Sequence, residues 1–384
     1  AFYIAYFVMA IPSGILLKKV GFKRGIMYGF MLTALGAFLF VPAALVRQFE
    51  IFLIGLFSIG TGLAILQTAA NPYVTIIGPI ESAARRISIM GICNKFAGII
   101  SPLIFAALIL KADDSELFSL IESGTLDAIT KSAMLDELIQ RVIVPYAILG
   151  GLLVLAGIGI RYSILPEINT DEQNATDEKE NGHNSKKSIF DFPYLILGAL
   201  AIFFHVGTQV IAIDTIINYA NSMGIDLLEA KVFPSYTLAC TMIGYVLGIL
   251  IIPKYVSQTK ALIICTILGL LLSFGVVFAD FNVTLFGHQA NISIFLLCAL
   301  GFPNALIYAG IWPLSIHGLG KFTKTGSSLL IMGLCGNAIL PLIYGYFAEV
   351  YDLRIGYWIL IPCFLYLIFF ATKGHKINSW KRNY

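Results

Sequence analysis

Gln67 and Asn71 stand four residues apart in an otherwise apolar stretch, Leu66 to Thr75, so on a helix they share one face. Each carboxamide carries an acceptor oxygen and a two-donor NH2 group. Hydrocarbon offers neither a partner, so both must face protein, water or a ligand. Pro72 lacks a backbone donor and restricts Asn71 before it. The chemistry open to such a face is non-covalent: it can grip a small polar solute crossing a membrane. Its ordinary alternative is a hydrogen bond between two packed helices, worth modest energy.

Asn304, Tyr308 and Trp312 recur at intervals of four and form a second stripe, which starts beside Pro303 as Asn71 stands beside Pro72. Aromatic stripes on membrane helices usually pack against neighbours or lipid, but an aromatic face can also stack on a bound ring. Asn94 and Asn337 add two more carboxamides. Lys95 lies nine residues beyond Arg86, roughly 13 Å along a helix. That is too deep for easy snorkelling, so it reads either as functional or as half of an ion pair with Asp214 or with an acid on an upstream helix. His205, Gln209, Asp214, Asn218 and Tyr219 punctuate one apolar run. Asp214 reads as the only mid-span carboxylate and the leading group for cation coupling, its alternatives being the pair with Lys95 or a place near the outer mouth. His205 can titrate near neutral pH, although a single histidine is more often a hydrogen-bonded packing residue.

Transmembrane helices must position these side chains. Of 384 residues, 58% are hydrophobic and only 12% charged, with a mean hydropathy of +0.86, far from a soluble domain. About 20 apolar residues cross a bilayer. Eleven spans are therefore predicted, near 1–17, 25–46, 51–77, 87–110, 142–162, 193–218, 232–254, 260–280, 291–317, 327–349 and 355–372. Basic residues crowd alternate loops: Lys18 to Arg24, Arg85 and Arg86, Lys186 and Lys187, Lys254 and Lys260, Lys321 and Lys324, and the C-terminal tail. Those loops and the C-terminus are expected in the cytoplasm, in a multi-pass protein of the cell (inner) membrane. Parity then puts residue 1 outside, which leads to the expectation of a further helix upstream. No basic n-region or cleavage site marks a signal peptide.

The acidic segment 112–141 has helical spacing and is expected to lie over the outer mouth as one or two short helices. The polar run Thr170 to Lys187 reads as a flexible linker. The expected organisation is an N-terminal helical half at 1–162, a cytoplasmic linker at 163–191 and a C-terminal half at 192–384. The halves echo one another. Gly14-Ile15-Leu16-Leu17 is matched by Gly248-Ile249-Leu250-Ile251, and Ile89-Met90-Gly91-Ile92-Cys93 by Ile331-Met332-Gly333-Leu334-Cys335. Prolines follow the second pair at Pro102 and Pro341. Two matches in the same order argue for duplication, with a binding site near the midplane between the halves.

Tyr3 to Gly25, the segment QTAANPYVTIIGP at 67–79 followed by Arg85, Arg86 and Asn94, and GKFTKTGSSLLIMGLCGNAILPLIYGY at 320–346 resemble the fucose permease and glucose/galactose transporter family of the major facilitator superfamily. The resemblance extends over most of both halves and implies an all-α membrane protein, the major facilitator fold with two pseudo-symmetric six-helix halves. It also implies secondary active import of a hexose by symport with H⁺ or Na⁺ through alternating access. The partners are then a small sugar, a coupling cation and the bilayer, with no resident cofactor and a monomer by the habit of the superfamily. The family's acidic first helix would lie upstream of residue 1. Where fucose permease has a glutamate, this chain has Gln67, as the glucose/galactose and N-acetylglucosamine branches do. Gln67 cannot titrate, but it can hydrogen-bond a sugar hydroxyl, so the position favours a hexose transporter, glucose or galactose before the alternatives fucose and N-acetylglucosamine, and weakens proton coupling through this residue.

The expected sugar ligands are thus Gln67, Asn71, Asn94, Gln209, Asn304, Tyr308, Trp312 and Asn337, with Asp214 and Lys95 as coupling groups. Trp312 would stack on the apolar face of a pyranose. The basic loops Lys18 to Arg24 and Lys321 to Lys324 set topology first, with gating as the sharper reading; the aspartate usual in this loop is absent. The remaining classes have no support. The six cysteines stand singly with no metal spacing, no glycine-rich phosphate loop or HExxH pair occurs, and nothing suggests nucleic-acid binding or an enzyme. A non-transporting sugar sensor would need a signalling domain, and the linker and tail are short.

Overall fold

Gly21 divides the first and longest helix of the chain. In the computed structural model, which describes residues 2–109, 130, 136, 137, 139–168 and 188–380, α1 runs Phe2–Val46 and leaves helical geometry only at Gly21, with φ of 81°. L-residues other than glycine rarely adopt that angle. The carboxylate of Glu167 occupies the bend: it accepts from the backbone N–H of Phe22 at 2.5 Å and of Lys23 at 3.2 Å, an anion at the start of a new helical arm. The two arms are the first two predicted spans, joined end to end by the basic loop.

The chain continues as α2 (Phe49–Ile76), α3 (Ala83–Ile109), α4 (Ile143–Tyr162), α5 (Pro193–Asp214), α6 (Phe233–Ile251) and α7 (Gln258–Phe278). Three segmented spans follow, α8 (Ile292–Ile316), α9 (Gly320–Val350) and α10 (Leu353–Lys376). Every predicted span is thus helical, and nine described helices are long and apolar enough to cross a membrane. Helices satisfy their own backbone groups, which is why apolar sequence in a bilayer takes this form. Interior prolines such as Pro12, Pro42 and Pro72 are accommodated, and threonines return hydroxyls to the preceding turn, as Thr68 does to the Ala64 carbonyl. A short hairpin, β1 (Asn282–Leu285) with β2 (His288–Asn291), joins α7 to α8. The expected helices at 112–141 fall almost wholly outside the described residues, and so does the polar run 170–187.

Helix α1 packs on α2 and α4, while α5 packs on α8, α9 and α10. The two groups meet at the end that carries the basic loops. There Gly14 of α1 approaches α9 so closely that a Cβ would lie 1.9 Å from Ser328 Oγ. Reciprocally, Gly248 of α6 approaches α3, with Ser88 Oγ 3.3 Å from a Cβ built there. These are the two glycines of the sequence echo, so the duplication recurs as paired contacts. Lys324, only 8% exposed, sits over the Phe22 ring at 5.4 Å in the same junction.

Towards the other end the groups separate. Gly91 and Gly98 lie seven residues, two turns, apart on one face of α3. A Cβ at Gly91 would fall 2.5 Å from Tyr245 Cζ of α6, whereas one at Gly98 would have nothing within 4 Å. Among the described residues, the two groups are in close contact at the basic end, and the Gly98 position of α3 has open space beside it.

Candidate functional site

Between the two groups of helices, Asn71 makes a direct link. Its NH2 donates to Gln67 Oε1 at 2.8 Å and to the Tyr308 hydroxyl at 3.1 Å. The first bond follows from the helical spacing on α2, and the second is a contact only the tertiary fold makes. Both amide hydrogens are therefore used. The Asn71 Oδ1, in a residue with no exposed surface, has no partner.

The opposite wall is less satisfied still. Asn304 is 1% exposed, and neither of its amide atoms makes a hydrogen bond. One turn on, Tyr308 takes the Asn71 bond, and one turn further Trp312 is fully buried with its indole N–H unpaired. The Tyr308 and Trp312 rings meet edge to face at 6.1 Å between centroids, and the His205 ring of α5 lies 6.1 Å from Tyr308 on another side. Neither nitrogen of His205 has a partner. Asn337 joins from α9. Its neighbour Gly336 presses on α5 so that a Cβ there would be 2.0 Å from the Phe203 carbonyl oxygen, and Asn337 Oδ1 is also unpaired.

Of the ten buried side-chain polar atoms without a partner among the described residues, seven belong to Asn71, His205, Asn304, Trp312 and Asn337. Each such group costs about 1–3 kcal/mol when nothing satisfies it. That concentration in one place marks a site built to take hydrogen bonds from something other than the protein. Its chemistry is neutral: amides, a phenol, an indole and an imidazole, with no carboxylate.

Lys95 lies one turn beyond Gly91 on the same face of α3 and is half-buried. Among the described residues it forms no ion pair, so the pairing with Asp214 is not realised. Asp214 itself is not mid-span. α5 ends at Asp214, which is exposed. The next residue, Thr215, is held to the Tyr357 hydroxyl at 2.7 Å before a new short helix, Ile216–Ser222, begins. The uniform apolar run concealed this break and overstated the length of the span.

Gln209 follows His205 by one turn and is half-buried, whereas Asn94 is exposed on α3 without a hydrogen bond. Trp312 departs from its expected role. Because the helices converge at the basic end, the indole is packed on all sides in this state and presents no open face to a ring. His205, read from sequence as packing, is the residue the sequence underweighted. The i, i+4 relation of His205 to Gln209 was the available signal. A shallow cleft of about 350 Å³ beneath the hairpin, lined by Asp280, Asn282 and Gln289, lies apart from this cluster.

A glucose/galactose transporter of Brucella abortus (strain 9-941) is 31% identical over 380 residues, covering 98% of this chain and 84% of the relative. An L-fucose-proton symporter of Escherichia coli K12 is 31% identical over 376 residues, covering 97% and 82%. Among solved structures, FucP in the outward conformation superposes with a TM-score of 0.81 at 27% identity, over 99% of this chain and 88% of that one. A point variant of the E. coli fucose:proton symporter FucP gives 0.82, also at 27%, over 99% and 89%. The family model described as Major Facilitator Superfamily matches residues 1–335. With transmembrane-length helices along the chain and this breadth of likeness, the chain belongs to the Major Facilitator Superfamily.

Proposed function

We propose that this chain is a secondary active transporter that imports a hexose, glucose or galactose, by symport with protons, and that the structure is its outward-open state. The observation that carries the reading is the cluster of unpaired neutral hydrogen-bonding groups between the two groups of helices, with members on both at once. A hexose is a ring of donors and acceptors, and such a wall suits it better than it suits an ion. The relatives named as glucose/galactose and fucose-proton carriers support the substrate class and the proton, and Gln67 favours glucose or galactose over fucose. The outward conformation of FucP supports the state.

In this reading the sugar ligands are Gln67, Asn71, Gln209, Asn304, Tyr308 and Asn337, with Asn94 at the cleft wall and Trp312 offering its N–H from below. Lys95 is the coupling group in preference to Asp214, because it is half-buried within α3 whereas Asp214 is exposed at a helix end. The boundaries 1–162, 163–191 and 192–384 delimit two rocking halves and their linker. The basic end and the C-terminus lie in the cytoplasm of a bacterial inner membrane, and the monomer is the working unit. Sugar and proton move the equilibrium only as far as they prefer the occluded form.

Counterflow of radiolabelled glucose, galactose, fucose and N-acetylglucosamine in proteoliposomes, with and without an imposed proton gradient, tests this. Exchange of glucose or galactose with gradient-driven accumulation is expected. Binding of a sugar with no flux under any gradient would defeat transport, and fucose exchange alone would defeat the substrate assignment.

A further inference from the structure

His205 is buried to 1% exposure in the middle of α5, where a packing histidine would bond at least one nitrogen. Both nitrogens are unpaired. The backbone does not need them: the His205 carbonyl already accepts the Thr208 hydroxyl at 2.7 Å. The ring lies 6.1 Å from that of Tyr308, whose hydroxyl accepts from Asn71 across the junction of the two helix groups. On α9, Asn337 follows Gly336, which packs against the Phe203 backbone of α5 two residues before His205. A neutral imidazole presents one donor and one acceptor on opposite sides of a flat ring, and two sugar hydroxyls, one of them reached through a bridging water, can use both.

We propose that His205 is a specificity-determining sugar ligand of this transporter, its two ring nitrogens giving one hydrogen bond and taking one from the bound hexose. The inference rests on the sugar-transport reading and adds to it a titratable residue on α5. His205 holds a donor and an acceptor at fixed directions about a rigid ring, which lets it discriminate hydroxyl geometry. A site built to bond a hydroxyl rejects the analogue that lacks it.

The experiment uses the full chain in proteoliposomes. Affinities for glucose, galactose, fucose and their monodeoxy derivatives are measured for wild type, His205→Phe and His205→Gln. Two lost neutral hydrogen bonds correspond to about thirtyfold in affinity, the loss expected for His205→Phe towards the sugar that wild type exchanges. His205→Gln keeps a donor and an acceptor and should stay within about fivefold. One monodeoxy sugar, lacking one of the two bonds, should bind wild type about fivefold more weakly and lose only about fivefold more on His205→Phe, against about thirtyfold for the parent sugar. Wild-type affinity in His205→Phe, or an equal further loss for every deoxy sugar, overturns the proposal while leaving sugar transport standing. A wild type that exchanges none of the sugars overturns both. Should His205→Phe not insert stably, His205→Asn keeps the polarity but shortens the reach and supplies the same contrast.

Discussion

Gly14→Ala tests whether the basic-end junction is a gate. The added Cβ would stand 1.9 Å from Ser328 Oγ, 3.1 Å from Ser328 Cβ and 3.2 Å from the Lys324 carbonyl oxygen. The hydroxyl can rotate away, but the Cβ and the carbonyl can retreat only if α9 moves off α1. Overpacking of this kind costs roughly 1–3 kcal/mol. The cost falls on the closed state of this end alone, because separation of the two groups removes the contact. The ratio of outward-open to inward-open molecules should therefore drop by about 5- to 150-fold. Two reporters read the ratio in a Cys93→Ser background: Gly98→Cys, in open space on α3, and Ser88→Cys, buried at the junction. Thiol labelling should shift from the first site to the second on introducing Gly14→Ala and return with Ser328→Gly. Gly151→Ala, where a Cβ meets nothing within 4 Å, should leave it unchanged. An unaltered labelling ratio in Gly14→Ala, or no recovery with Ser328→Gly, would refute the gate.

Lys95→Gln should abolish proton-driven accumulation and spare counterflow, while Asp214→Asn should leave both; the reverse pattern would return the coupling role to Asp214. Lys324 is buried with no ion pair among the described residues, and its contact with Phe22 is worth only about 0.5–2 kcal/mol. Desolvation of the ammonium should outweigh that, so Lys324→Met is expected to raise the outward-to-inward labelling ratio. A fall would make the ring contact the larger effect. Gly21→Ala meets both a left-handed φ and the Glu167 carboxylate 2.2 Å from the new Cβ. It should cost about 1–3 kcal/mol, seen as a lower apparent Tm by scanning fluorimetry in detergent, and an unchanged Tm would mean the bend relaxes freely.

Much of the architecture was legible in the order of the residues. Apolar length alone decided that the spans are helices, because a bilayer leaves the backbone no other partners. The echoed glycines Gly14 and Gly248 announced a duplication, and the four-residue spacing of Gln67 and Asn71 announced their shared face. The break at Gly21 lay within a loop that charge had already marked.

What the order of residues could not decide is how the faces meet. A helix that is apolar all round has no polar side to point outward, since lipid and protein core are equally welcoming. Periodicity therefore carries no direction, and the partners of a polar residue depend on how the helices are rotated and crossed. Only the packing of α2 against α8 gave Asn71 the Tyr308 hydroxyl, and only convergence at the basic end sealed Trp312 away. The halt of α5 at Asp214 put that carboxylate at an exposed helix end. His205 looked like packing until its neighbours were in place and left both ring nitrogens unpaired, the result of an arrangement that no local signal encodes.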